Sequence, residues 1–282
     1  MTLAPAIAIV RPVNVLALAA GTAAGAALAG APGLSPLLLV PALTAAFGYA
    51  WNDAADLRAD ERNRPARPIP SGRLSRSVAV VLAWACLAAA AAVTWRFARE
   101  DARLPVTFLA MAAMLYLYSP WIKNGGVLGP VTVSALSALA VLWGAWLGPH
   151  PENAHVAAFI AVAIVFAREC VKDIEDLEGD RATGRTTWPV QAGEAAGRMG
   201  ARVAALAALA ALPLPWLRGD AGILYGAVAA FVVAPLLVPT VLRPPTNSRE
   251  ARTASLRLKA ALIAGILGLW MGATQWPPKM HL

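Results

Sequence analysis

Apolar runs without a single charged residue recur along this 282-residue chain, separated by short polar connections. A hydrocarbon layer about 30 Å thick takes roughly 20 helical residues to cross. Runs of that order predict helices near 13–30, 34–51, 77–97, 104–119, 127–147, 154–171, 200–217, 221–242 and 256–275. The first two share one apolar run, split at the turn-forming Gly30-Ala31-Pro32-Gly33. The pattern predicts an all-α polytopic membrane protein: nine transmembrane helices in one domain spanning 1–282, with no separate soluble unit and no low-complexity linker.

Polar residues break this pattern most sharply at two places. Trp51-Asn52-Asp53-Ala54-Ala55-Asp56-Leu57-Arg58-Ala59-Asp60 ends the second run. As a helix it sets Asn52, Asp56 and Asp60 on one face. Arg168-Glu169-Cys170-Val171-Lys172-Asp173-Ile174-Glu175-Asp176-Leu177-Glu178-Gly179-Asp180 ends the sixth, with Asp173, Asp176 and Asp180 again on one face. Residues 51–61 and 168–180 hold ten of the 16 acidic residues, so the acidity is concentrated at the ends of two even-numbered segments. Even parity brings both runs out on the same side of the membrane. Only Arg96, Arg99, Arg103, Arg218 and Lys279 of the 24 Lys/Arg fall on the opposite side. Basic residues favour the cytoplasm, which predicts that both acidic runs and their loops are cytoplasmic on an integral protein of the cell membrane.

Composition agrees. The chain is 59% hydrophobic and 14% charged, outside the soluble-globular range. Its net charge of +8 resides in short loops between apolar segments, which suits anionic headgroups and an anionic substrate rather than nucleic acid. The N-terminus carries no cleavable-signal pattern, because Arg11 comes late and the apolar stretch after it is too long. Two cysteines, Cys86 and Cys170, offer no disulfide or thiolate framework. No protein partner is inferable.

Carboxylates at helix C-terminal ends oppose the helix dipole, and stacking them adds like-charge repulsion. Oxygen-only donors in that arrangement point to a hard divalent cation, Mg²⁺ first, which completes its shell with phosphate oxygens. Two such sets on one side suggest a diphosphate held between them. The plainer alternative is a pair of solvated charge clusters laced with Arg58, Arg62, Lys172 and Arg181. The basic residues gain roles under the first reading. The proline-stiffened loop Asn63-Arg64-Pro65-Ala66-Arg67-Pro68-Ile69-Pro70-Ser71-Gly72-Arg73 carries arginines back over the first run. Lys123, in Tyr118-Ser119-Pro120-Trp121-Ile122-Lys123, is the only charge between the fourth and fifth segments. Arg11 and Asn14 enter the first helix, where Asn14 requires a hydrogen-bond partner.

Asn52-Asp53-x-x-Asp56-x-x-x-Asp60, the Arg67-Pro68-Ile69-Pro70-Ser71-Gly72 that follows, and Asp173-x-x-Asp176-x-x-x-Asp180 together resemble the UbiA superfamily of intramembrane prenyltransferases. Within it, Arg11-Pro12-Val13-Asn14 and the second acidic run look most like digeranylgeranylglyceryl phosphate synthases. The chain departs from the usual pattern at Gly129-Pro130, where many members have Gly-Asn, and at Trp188, where Leu is common.

The resemblance implies a UbiA-type bundle with a central cavity. It implies transfer of a prenyl group, C20 favoured, from an allylic polyprenyl diphosphate to a lipophilic acceptor most like geranylgeranylglyceryl phosphate. An aromatic acceptor of 4-hydroxybenzoate or homogentisate type, or a terpene cyclase, are the alternatives. Asn52, Asp56 and Asp60 would hold one Mg²⁺, and Asp173, Asp176 and Asp180 a second. Asp53 would be a further ligand or, like Glu169, lie just behind them. Arg67 and Lys123 would contact the diphosphate, with Arg11, Asn14, Tyr118 and Lys172 as further substrate contacts. Rings of Tyr116, Tyr118, Trp121 or Trp143 are candidates to stabilise an allylic cation, and the prenyl tail would leave through a lateral opening to the bilayer.

Overall fold

The computed structural model describes residues 3–98 and 101–273. Arg99 and Lys279, two of the opposite-side cations, and the end of the last predicted segment lie outside them. The described chain is helical: α1 (Leu3–Ile9), α2 (Pro12–Leu28), α3 (Val40–Ala55), α4 (Leu57–Asn63), α5 (Arg76–Phe97), α6 (Arg103–Tyr118), α7 (Leu128–Ala145), α8 (His155–Glu175), α9 (Leu177–Ala182), α10 (Trp188–Ala192), α11 (Glu194–Ala211), α12 (Leu214–Leu217), α13 (Ile223–Val228), α14 (Ala234–Leu242) and α15 (Ser248–Ala273). A π turn, Ala229–Val233, joins α13 to α14. Among the described residues the one β-type pairing is an isolated parallel bridge between Gly126 and Thr187.

Every predicted apolar segment falls on helix, and six stretches are long and apolar enough to cross a membrane. They are Arg76–Phe97, Leu128–Ala145, Pro151–Glu175, Glu194–Leu217, Ile223–Leu242 and Ser248–Ala273. Pro12–Leu28 and Arg103–Tyr118 are apolar but shorter. The second predicted segment is shortened because Ser35 caps Leu37 and opens a 3₁₀ turn, Pro36–Leu39, ahead of α3. This is an integral membrane protein.

Helix α8 is the central post, packed by α7, α11 and α15. Small residues let it be approached closely: Ala201, Ala205 and Ala208 of α11 are all fully buried, at one- and two-turn spacings. The tightest approach is between α2 and α7. A Cβ on Gly25 would lie 2.0 Å from the Val141 carbonyl oxygen, and one on Gly144 would lie 1.8 Å from that of Thr22. Only hydrogen fits at either position. Trp143 is fully buried beside this seam and donates its indole N–H to the Leu37 carbonyl at 2.8 Å.

Candidate active site

Both acidic runs interrupt their helices at an aspartate. α3 stops at Ala55 and resumes as α4 after Asp56 (φ −86°, ψ 10°), while α8 stops at Glu175 and resumes as α9 after Asp176 (φ −91°, ψ 0°). The expected continuous helical face is therefore a kinked one. Chain continuity survives, because Asp60 N–H still bonds the Asp56 carbonyl and Asp180 N–H that of Asp176, each at 2.9 Å. The breaks occur 120 residues apart at corresponding positions, with Asp53, Asp56, Asp60 and Asp173, Asp176, Asp180 in identical spacing.

The two breaks meet at one end of the bundle. Arg64 reaches from the loop after the first run to Asp176 at 2.6 Å, and Arg185 from beyond the second run to Asp56 at 2.9 Å. Lys123 contacts Asp56 from a third loop, also at 2.6 Å. That loop is tied to the chain after α9: Gly126 N–H bonds the Thr186 carbonyl at 3.1 Å, and the Thr186 hydroxyl donates to the Asn124 carbonyl. Three connections distant in sequence thus close over one polar floor.

Above this floor lies a cavity of about 460 Å³. Its polar end is lined by Asn52, Asp60, Asp173, Asp176, Asp180 and the basic side chains that face them, and its walls by apolar residues of α2, α3, α6, α7, α8 and α15 such as Leu18, Met111, Leu136, Val165 and Ile266. Arg11, Asn14, Arg67, Tyr118, Lys123 and Lys172 also line it, so every expected substrate contact faces the same space. Asp53 and Asp56 lie beside it. Asp53 is 4% exposed and holds Arg11 at 2.6 Å and Arg67 at 3.1 Å. Arg67 also bonds Asp60. Asn52 Oδ1 accepts from the Ser119 hydroxyl at 2.9 Å. Glu169 grips Lys172 at 2.7 Å and Arg168 at 3.1 Å.

Arg11 alone among the described non-glycine residues has a left-handed backbone, at φ 53°. Pro12, at the first position of α2, disfavours the right-handed helical region for its predecessor. The resulting conformation costs on the order of 1 kcal/mol. It directs the guanidinium to Asp53 and over the Tyr49 ring, 4.9 Å from its centre.

Burial pushes the Asp60 carboxyl above the ordinary carboxylate range despite Arg67, and likewise that of Asp180 despite Arg185. Oδ2 of Asp173 and Oδ1 of Asp180 are buried without a hydrogen-bond partner. Among the described residues no three acidic, His or Cys side chains converge as a ready-made metal cage. The aspartates are instead held apart by arginine and lysine. Oxygen donors with orphaned buried lone pairs fit Mg²⁺, which takes one or two carboxylates and leaves its remaining positions to water and phosphate.

The aromatic candidates separate cleanly. Tyr118 lines the cavity, whereas Trp143 is used up in packing and Trp121 is 63% exposed. Tyr116 belongs to a half-exposed outward cluster with Trp51 and Trp84. Tyr49, under Arg11, lines the cavity and was not foreseen. Arg185 and Lys259 were also missed. A signal for Arg185 existed: it follows Asp180 as Arg67 follows Asp60, in a short loop just beyond the acidic run. None marked Lys259, one cation among several on α15.

Residues 15–263 match the model of the UbiA prenyltransferase family. The chain is 35% identical over 261 residues to a digeranylgeranylglyceryl phosphate synthase of Methanopyrus kandleri, covering 91% of this chain and 94% of that one. Its fold is that of a UbiA homolog from Aeropyrum pernix (TM-score 0.74, 19% identity, 93% of this chain and 98% of that one). It is also that of a UbiA homolog from Archaeoglobus fulgidus bound to GPP and Mg²⁺ (TM-score 0.65, 18% identity, 93% and 98%).

Proposed function

Since this chain belongs to the UbiA prenyltransferase family, we propose that it transfers a C20 prenyl group from an allylic diphosphate to the hydroxyl of a lipophilic acceptor most like geranylgeranylglyceryl phosphate. The observation that carries this reading is the cavity itself: one end built of paired aspartates and cations, the walls apolar and large enough for isoprenoid. The named activity of the Methanopyrus relative and the ligands of the Archaeoglobus homolog support it.

In the proposed reaction the carbon–oxygen bond of the allylic diphosphate breaks with its electron pair leaving on oxygen. The acceptor hydroxyl oxygen forms the new bond to carbon, and its proton passes to the departing diphosphate. Lys123, Arg185, Arg64 and Arg67 surround the floor with fixed positive charge that is worth most as the leaving group gains its own. Asp53 orients Arg11 and Arg67, and Glu169 orients Arg168 and Lys172, which keeps these cations aimed without reorganisation. Asn52, Asp56 and Asp60 would hold one Mg²⁺ and Asp173, Asp176 and Asp180 another. When bound, Mg²⁺ neutralises the diphosphate charge. Of the two roles open to Asp53, the paired arginines favour the supporting one. Apolar walls exclude water from the allylic cation, and the Tyr118 and Tyr49 rings face it.

The same reading makes residues 1–282 one domain with nine crossings, the polar floor cytoplasmic and the tails reaching the bilayer sideways. Ser71→Cys should then label only from the cytoplasmic side and Glu152→Cys only from the other. The deciding experiment is product mass spectrometry on nanodisc-embedded protein given geranylgeranyl diphosphate, Mg²⁺ and geranylgeranylglyceryl phosphate, 4-hydroxybenzoate or homogentisate. An ether-linked digeranylgeranylglyceryl phosphate is the expected product. Transfer only to an aromatic ring, or release of a cyclic hydrocarbon, would replace the reading.

A further inference from the structure

Among the described residues, every basic side chain lining the cavity but one lies within 4.0 Å of a carboxylate. The exception is Lys259, half-buried on α15. Arg168 and Arg11, both cations, line the same cavity. Arg168 has its own deficit: Glu169 takes one terminal nitrogen, while the buried Nε–H has no acceptor. Arg11 and Arg168 each have a carboxylate partner, so the uncompensated charge in this wall is that of Lys259, and it costs free energy unless the cavity's ligand supplies the missing anion.

Snorkelling is the ordinary reason for a lysine in a membrane helix. Lys259 is near enough to the polar end for that, three residues or about 5 Å inside the apolar segment expected at 256–275. What sets it apart is that it lines the cavity beside Leu262 and Ile263. The diphosphate grip is made elsewhere, where Lys123 and Arg185 meet on Asp56.

We propose that Lys259, with Arg168 beside it, forms a second anion subsite that takes the phosphomonoester headgroup of the lipid acceptor. This rests on the prenyl-transfer reading and adds to it which side chains select the acceptor. Two anions then occupy one cavity at separate places, each with its own cations, so the donor's reactive carbon is left between them and open to the acceptor hydroxyl.

The test is steady-state kinetics of wild type, Lys259→Gln and Lys259→Arg in nanodiscs of a zwitterionic lipid, varying donor and acceptor separately. Lys259→Gln should raise KM for geranylgeranylglyceryl phosphate at least ~10-fold, leave KM for geranylgeranyl diphosphate within about 2-fold, and be rescued by Lys259→Arg. Dephosphorylated acceptor should show no difference between variants. A rise in donor KM instead, or a penalty confined to nanodiscs containing anionic lipid, assigns Lys259 to the diphosphate or to bilayer headgroups and overturns the proposal. Wild type that uses glyceryl phosphate acceptor with Lys259→Gln indistinguishable from it overturns the Lys259 assignment alone. Wild type that uses no such acceptor overturns the reading beneath it.

Discussion

Arg185 lies 2.9 Å from Asp56, joining the loop beyond the second acidic run to the break in the first. It is also 3.6 Å from Asp180, so one guanidinium spans both halves of the floor. Arg185→Gln should lower kcat/KM for the prenyl diphosphate about 10²-fold, near 2.7 kcal/mol, with Arg185→Lys recovering part of it. Acceptor KM should stay unchanged in the same assays.

Asp56 and Asp176 occupy the two helix breaks, where a side chain can face the floor while backbone bonding continues on either side. Asp56→Asn and Asp176→Asn should each reduce turnover by ~10³-fold or more while shifting Tm only a few degrees. Chelation should abolish turnover and Mg²⁺ restore it. Prenyl transfer retained in either variant would discredit the floor as the metal site.

The raised carboxyls of Asp60 and Asp180 make a signed pH prediction for metal-free protein. Their folded values exceed the unfolded ones, so their contribution to stability is full below the ordinary carboxylate range and is lost as pH rises through the raised value. Asp60→Asn and Asp180→Asn should therefore melt higher than wild type at about pH 7, by roughly 2 °C, and the gap should close by about pH 4. Differential scanning fluorimetry after chelation measures this; a gap that widens in acid would contradict it.

Two glycines set the α2–α7 spacing. Gly144→Val and Gly25→Val should each destabilise by at least ~1–3 kcal/mol, because the added methyls meet backbone that cannot withdraw. Gly21→Ala, one turn from Gly25, is the control: its Cβ would have 3.6 Å to Ile266 and should be tolerated in the same thermal melts.

Trp143 packs and hydrogen-bonds outside the cavity. Trp143→Phe should lower Tm yet leave kcat/KM within about 2-fold, while Tyr118→Ala should reduce kcat at nearly constant Tm.

The length of the charge-free apolar runs carried the helical architecture because a bilayer imposes its thickness on the sequence directly. It could not distinguish full crossings from shorter helices such as Pro12–Leu28, which begins at Pro12 and ends at the left-handed turn of Gly30. The aspartate spacing carried the floor, since i, i+3 and i+7 survive a kink. What escaped were residues whose position depends on tertiary closure. Arg185 becomes a floor residue only because the Gly126–Thr187 pairing folds its loop inward. Lys259 is distinguished from its neighbours on α15 only by facing the cavity. Trp143 and Tyr118 look interchangeable as aromatic residues, and only packing tells them apart.

If isoprenoid enters from the bilayer, as the proposed function has it, the glycine-to-carbonyl contact of α2 with α7 limits where. Backbones that close leave no gap for a methyl-branched chain at the α2–α7 seam. Under the proposed function, isoprenoid would have to enter by another seam of the bundle.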